Sequence, residues 1–187
     1  MSPILTGILA SQITGHLSTN SFESIATVTV GSGGSSSISF SSIPSTYKHL
    51  QIRMSARSTD TGTGANTNVI FNGSGTGYST HYVQGDGSTT GAGAIVNGSY
   101  IIPAQITGNG ATSGIFSPNI IDILDYADTN KYKTLRSLGG NELNGSGNIV
   151  LWSGNWRQTT AISSITFTIS GASNFTQYSS FALYGIK

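Results

Sequence analysis

The three histidines are the first residues of this sequence that could bind a metal or transfer a proton. They are His16, His49 and His81, and no two of them have the short spacing of a metal-ligand pair such as HxxxH. Serine is abundant, but the GxSxG motif that presents a hydrolase nucleophile does not occur. The sequence therefore predicts neither a histidine metal centre nor a hydrolase triad.

The densest group of carboxylates is formed by Asp122, Asp125 and Asp128. On a strand, Asp122 and Asp128 would share one face and Asp125 would point away, because side chains alternate. This spacing does not resemble an EF-hand loop, so we expect solvated carboxylates at a strand end. Glu23 and Glu142 are isolated, and nothing pairs them as the two carboxyl groups of a glycosidase. We therefore predict no catalytic, cofactor-binding or metal-binding residue.

Glycine-rich segments and aromatic residues are the remaining candidates for ligand binding. Residues 73–77 and 85–93 lack the strand, GxGxxG and helix context of a phosphate-binding turn, and we predict loops there. Aromatic side chains favour either sugar stacking or subunit interfaces. Five aromatic residues are considered for these roles: Tyr78, Tyr82, Tyr100, Trp152 and Trp156. For Trp152, which lies inside an apolar run, core packing is the favoured interpretation.

The composition narrows the class of partner. Only 8% of the residues are charged, and the formal net charge is +1, without a basic cluster that would neutralise nucleic-acid phosphates. No stretch approaches the ~18 apolar residues of a membrane-spanning helix. Cysteine is absent, which excludes disulfides and thiolate metal sites. We therefore expect no nucleic-acid or membrane partner, and an uncharged surface that meets identical copies with little repulsion.

Short apolar runs with a period of two alternate with turn residues along most of the chain, a pattern typical of β-strands. Asn-Gly or Asp-Gly pairs begin at Asn72, Asp86, Asn97 and Asn144, and they supply the positive φ angles of hairpin turns. The pattern predicts an all-β protein, an antiparallel β-sandwich or jelly roll of roughly eight to ten short strands. The eleven apolar runs from which this estimate is made are 24–30, 37–41, 49–57, 68–71, 78–83, 100–102, 115–126 (one strand or two), 131–138, 149–152, 165–169 and 181–186.

The N-terminal residues 1–20 have a different pattern and carry no lysine, arginine, aspartate or glutamate. Their apolar residues recur at spacings of three to five, which indicates a short helix or an extended arm. We predict that this arm anchors the protein or contacts a neighbouring subunit; a frayed terminus is the alternative. The predicted anchoring residues are Ile4, Leu5, Ile8, Leu9, Ile13 and Leu17. Residues 21–187 are predicted to form a single β-sandwich domain.

Several segments carry a resemblance to a known class of proteins. They are residues 8–17 (ILASQITGHL), 22–30 (FESIATVTV), 43–50 (IPSTYKHL), 162–167 (ISSITF), 174–175 (NF) and 180–186 (SFALYGI). Together they resemble virion proteins of tailed bacteriophages, notably aquatic phages, and the resemblance spans nearly the whole chain. It implies a small jelly-roll or sandwich protein, often trimeric, that decorates a capsid or forms part of a tail fibre. It implies no catalytic residues.

From the residues and this resemblance we expect a non-enzymatic virion structural protein, assembled in the host cytoplasm. The leading hypothesis is a capsid decoration (cement) protein that stabilises the shell. Its expected partners are copies of itself, as a homotrimer, and the major capsid protein or another virion protein. One alternative is a tail-fibre or receptor-binding module, with Tyr78 and Tyr82 contacting host glycans. A further alternative is a carbohydrate-active enzyme that uses Asp122 or Asp125.

Overall fold

The computed structural model describes residues 21–143 and 145–187. The predicted arm, with Ile4, Leu5, Ile8, Leu9, Ile13 and Leu17, and His16 lie outside these residues. The described chain forms twelve β-strands and one 3-10 turn, Ser170–Ala172. The strands are β1 Phe22–Thr29, β2 Ser37–Phe40, β3 His49–Ala56, β4 Gly64–Phe71, β5 Tyr78–Gly85, β6 Thr90–Gly98, β7 Ile101–Thr107, β8 Ser117–Leu124, β9 Lys133–Glu142, β10 Gly147–Trp156, β11 Ile165–Ile169 and β12 Ser180–Ile186.

The strands form two antiparallel sheets that pack face to face. The larger sheet has eight strands in the order β1-β12-β3-β8-β9-β10-β5-β6, and the smaller has four in the order β2-β11-β4-β7. From β2 to β5 successive strands alternate between the two sheets, as in jelly rolls. The predicted antiparallel sandwich is therefore confirmed, with twelve strands in place of eight to ten.

The core lies between the sheets and is built by alternation along each strand. In β3 the apolar residues Leu50, Ile52 and Met54 are buried, and the intervening residues face outward, as the period of two predicts. Arg57 ends the predicted strand 49–57, and alternation from the outward-facing Arg53 and Ser55 predicts that it faces outward too, but it is buried just beyond the strand. Its guanidinium group is satisfied there, because it donates hydrogen bonds to three backbone carbonyl groups in residues 111–115.

One predicted loop is a strand in the structure, and the structure settles the open choice between one and two strands at 115–126. Residues 85–93 were expected to be a loop, but residues 90–93 begin strand β6, which pairs with β5. Glycine and alanine have little strand propensity, so here cross-strand packing overrides local preference. A Cβ atom at Gly93 would lie 2.7 Å from the Tyr82 ring, so a larger residue there would displace the ring. Residues 115–126 contain one strand, β8, with Pro118 near its start.

The predicted turn residues adopt the expected backbone but not always the expected connection. Asn72 and Asn97 have φ angles of 51° and 57°. Each of these two turns, however, joins strands of different sheets, so neither closes a hairpin. The turn at Asp86 joins the paired strands β5 and β6, and the turn that includes Gly145 joins β9 and β10. Asn-Gly and Asp-Gly pairs therefore predict that the chain turns, but they do not predict which sheet the next strand joins.

Candidate docking surface and polar trough

The outer face of the larger sheet carries a row of exposed aliphatic side chains. Strands β8, β9, β10 and β5 place Ile120, Leu138, Leu151 and Val83 directly opposite one another. These side chains are 50%, 52%, 48% and 51% exposed, respectively, and Ile149, two residues before Leu151, is 61% exposed. Because adjacent strands lie ~4.8 Å apart, the row spans about 14 Å. We call these five residues the apolar stripe.

Strand alternation forces the stripe outward. In β10, Val150 and Trp152 are buried against strand β7, so Ile149 and Leu151 must point to the opposite face. Residues 149–152 of β10 are all apolar, so their sequence alone does not identify which of them point outward. None of the stripe residues was singled out from the sequence. The available signal was the unbroken apolar run at 149–152, which a strand exposed to solvent on one face would not need.

A polar row borders the stripe on one side. Asp122, Arg136, Ser153 and His81 lie directly opposite one another across the same four strands. The Arg136 Nε and Asp122 Oδ2 atoms are 3.3 Å apart, and Gln51 Nε2 donates to Asp122 Oδ1 at 2.9 Å. An apolar centre with a polar border has the composition of a protein–protein interface.

An open groove of about 830 Å³ borders the stripe on its other side, lined in part by Ile120, Leu138 and Ile149. Its floor includes Gly139 and Gly140. A Cβ atom at Gly139 would lie 1.7 Å from Asn119 Oδ1, and one at Gly140 would lie 2.3 Å from a backbone oxygen. Side chains are therefore excluded from both positions, and the groove follows bare backbone.

The predicted aspartate group does not form one site. Asp122 belongs to the polar border, whereas Asp125 lies in the turn after β8 and pairs with Lys131 Nζ at 2.7 Å and Lys48 Nζ at 3.1 Å. Hydrogen bonds from these lysines, chiefly Lys131, lower the pKa of Asp125 to about 2. His49 Nδ1 accepts the backbone N–H of Asp125 at 3.0 Å. Among the described residues, no group of three or more histidine, aspartate or glutamate side chains is placed to hold a metal.

The predicted aromatic residues divide between the core and a second surface. Trp152 and Trp156 are buried, which confirms core packing for Trp152. Tyr78 is also fully buried, stacks on Trp156 and accepts the Phe71 backbone N–H at 2.8 Å, so the expected glycan contact by Tyr78 is wrong. Tyr82 is partly exposed, and its ring centroid lies 4.8 Å from that of Trp152.

Near Tyr82, the larger sheet extends past β7, the edge strand of the smaller sheet, and leaves a polar cavity of about 710 Å³. We call this cavity the polar trough. Gln84, Gln105, Asn141 and Asn148 line it, and Asn148 Nδ2 donates to Gln105 Oε1 at 2.6 Å. Asp86 lies at its rim, where N–H and hydroxyl groups of the following turn, first the Thr89 N–H, hold the pKa of its carboxyl group well below the usual range.

No protein-family model matches this chain, and neither a curated protein nor a solved structure matches it. Along residues 21–143 and 145–187, no helix is long and apolar enough to cross a membrane. A proposal for function therefore rests on the geometry of the two surfaces and on the resemblance found in the sequence.

Proposed function

We propose that this protein is a non-enzymatic structural protein that binds another protein through the apolar stripe. The observation that carries the proposal is the direct cross-strand register of half-exposed aliphatic side chains from Val83 to Ile120. Contiguous exposed apolar patches of this kind mark interaction sites in soluble proteins. The polar border at Asp122 and Arg136 supplies the rim that such interfaces have.

The expected strength of this contact suits repeated, many-copy attachment. Fully burying one aliphatic side chain contributes about 1.5–3 kcal/mol, so completing the burial of a half-exposed one contributes about half as much. The five stripe residues together contribute on the order of 4–8 kcal/mol before the cost of association. One such contact is weak alone. It becomes effective when several linked copies bind one surface at the same time.

The resemblance to phage virion proteins supports the choice of the proposed partner. We propose a capsid decoration (cement) protein that binds the major capsid protein on the outside of the shell as a homotrimer. The scarcity of charge lets copies approach one another without strong repulsion. The predicted anchoring residues of the N-terminal arm would add apolar contacts to those of the stripe.

The test is a binding assay on virions from which this protein has been removed, read by cryo-electron microscopy of the reconstituted particles. The test variant combines Leu138→Asn with Leu151→Asn. The matched control is Tyr132→Asn, at a residue 55% exposed in the turn between β8 and β9, outside the stripe. Because each change removes apolar burial and adds an amide to the interface, binding by the double variant should weaken about a hundredfold or more.

The outcomes separate the two parts of the proposal. Density at regular shell positions, with the stripe against the coat and with binding lost only in the double variant, supports both parts. Undiminished binding by the double variant would overturn the docking surface. Density on tail appendages would overturn the capsid location and favour the tail-fibre alternative.

A further inference from the structure

The polar trough has a lining that the docking proposal does not use. It is formed by amide and hydroxyl side chains, including Gln84, Gln105, Asn141 and Asn148, and no lysine or arginine lies among the lining residues that the structure describes. Its volume of about 710 Å³ is within the usual range for small-molecule sites, roughly 300–1,000 Å³. The lining therefore has the size and the chemistry of a site for an uncharged polar ligand.

Two buried acceptor atoms in the trough have no hydrogen-bond partner among the described residues. They are the Oδ1 atoms of Asn141 and Asn148, and Asn141 is only 5% exposed. The two residues lie directly opposite one another on β9 and β10. Leaving a buried acceptor unpaired costs about 1–3 kcal/mol. Neither oxygen is exposed to solvent in this structure. A ligand that donates hydrogen bonds to both oxygens, once the two side chains turn toward it, would recover this free energy.

The surrounding groups distinguish between ligand classes. An anion is disfavoured because none of the described lining residues is cationic. A divalent cation is disfavoured because Asp86 is the only described carboxylate in the lining. The Asp86 oxygens already accept four hydrogen bonds from Ser88 and Thr89. A neutral molecule with several hydroxyl groups fits, since each hydroxyl both donates and accepts.

An aromatic ring lies on the same strand as Gln84, just beyond the residues that line the trough. Tyr82 lies two residues before Gln84 on β5 and therefore faces the same side, about 7 Å away. Its ring packs on Trp152 and lies close to the backbone at Gly93. Aromatic rings offer a flat apolar face on which the C–H face of a sugar can stack.

We propose that the polar trough binds a neutral carbohydrate, whose hydroxyl groups donate hydrogen bonds to the side-chain oxygens of Asn141 and Asn148. Gln84 and Gln105 contact the remaining hydroxyl groups, and a sugar chain that extends past Gln84 along β5 stacks on Tyr82. This inference does not depend on the apolar stripe and holds for any location of the protein.

The experiment uses the purified full chain, titrated in NMR saturation-transfer measurements with glucose, galactose, mannose and N-acetylglucosamine, and then applied to an array of neutral glycans. Phosphate and Ca²⁺ serve as probes of the other ligand classes. Binding of at least one neutral sugar is expected, and Asn148→Ala should weaken it about tenfold, as the loss of one hydrogen bond predicts. If Asn148→Ala does not fold, Gln84→Ala, at a partly exposed residue, replaces it.

Sugar binding that is weakened by Asn148→Ala and retained by Tyr132→Asn supports the proposal. Absence of binding to every sugar and glycan, or saturation by phosphate or Ca²⁺ in their place, overturns it. The two proposals fail separately. The Leu138→Asn, Leu151→Asn variant should keep its sugar binding, and Asn148→Ala should keep its binding to particles.

Discussion

Replacing Lys133 with methionine should destabilise this fold, although methionine keeps most of the length and apolar character of the side chain. Lys133 is fully buried at the start of β9. Its Nζ atom donates to the backbone carbonyl groups of Asp128, of Lys131 at 3.1 Å and of Thr159 at 3.0 Å. One ammonium group therefore ties the turn between β8 and β9 to the segment that follows β10.

Two opposing effects determine the size of the change. Methionine would leave three carbonyl oxygens without this donor, and each buried unpaired group costs about 1–3 kcal/mol. Against this, burial lowers the pKa of Lys133, so the charged group carries a desolvation cost that methionine removes. Since the turn carbonyls regain some hydration, we expect a net loss of about 2–4 kcal/mol. At roughly 2–4 °C per kcal/mol, the melting temperature should fall by about 10 °C.

Thermal and urea unfolding of Lys133→Met should be compared with those of Lys48→Met. Lys48 is 62% exposed and makes only a surface ion pair with Asp125, so its replacement should cost about 1 kcal/mol or less. If Lys133→Met is as stable as the unchanged protein, the desolvation cost of the ammonium group exceeds the value of its three hydrogen bonds. That result would contradict a net stabilising role for the Lys133 ammonium group.

Three further predictions concern stability. Arg57→Lys removes the planar guanidinium group that donates to three carbonyl groups before β8. The loss of about 2 kcal/mol should lower the melting temperature by about 4–8 °C. An unchanged melting temperature would contradict this. The pKa of Asp125 is about 2 in the folded state, below its unfolded value of 3.8. The contribution of Asp125 to the stability of the fold should therefore be present above pH 3.8 and disappear toward pH 2. Urea titrations at several pH values should show that Asp125→Asn weakens this acid dependence. Gly154→Ala places a Cβ atom 2.5 Å from Ile101 and should cost about 1–3 kcal/mol, partly recovered by Ile101→Val in a double-mutant cycle.

The strands that the sequence predicted best are those with one apolar face and one polar face. The predicted strands 49–57 and 165–169 coincide closely with β3 and β11, because burial of one face leaves a clear alternating pattern. Strand β6 was missed because its glycines and alanines give no such pattern, although it pairs with β5 and the Tyr82 ring lies close to Gly93. The missing information there is tertiary.

Neither candidate surface could be predicted from the sequence, for different physical reasons. The apolar stripe depends on cross-strand register, which brings Val83 beside Leu151 although the two residues are far apart in the chain. The polar trough depends on where the smaller sheet ends, and no local pattern encodes the edge at β7. Asn141 and Asn148 resemble the many other polar residues of this chain until that edge leaves their oxygens buried and unpaired.

Both surfaces depend on one hairpin, β9–β10. Its alternation turns Leu138 and Leu151 outward to the stripe, and it turns Asn141 and Asn148 to the opposite face, into the trough. A slip of one residue would exchange the two sets of side chains and abolish both surfaces together. The glycines favour the correct register by allowing close pairing, since a Cβ atom at Gly147 would lie 2.1 Å from the Asn141 backbone oxygen. The glycines of this hairpin thus help to determine which side chains reach the stripe and which reach the trough.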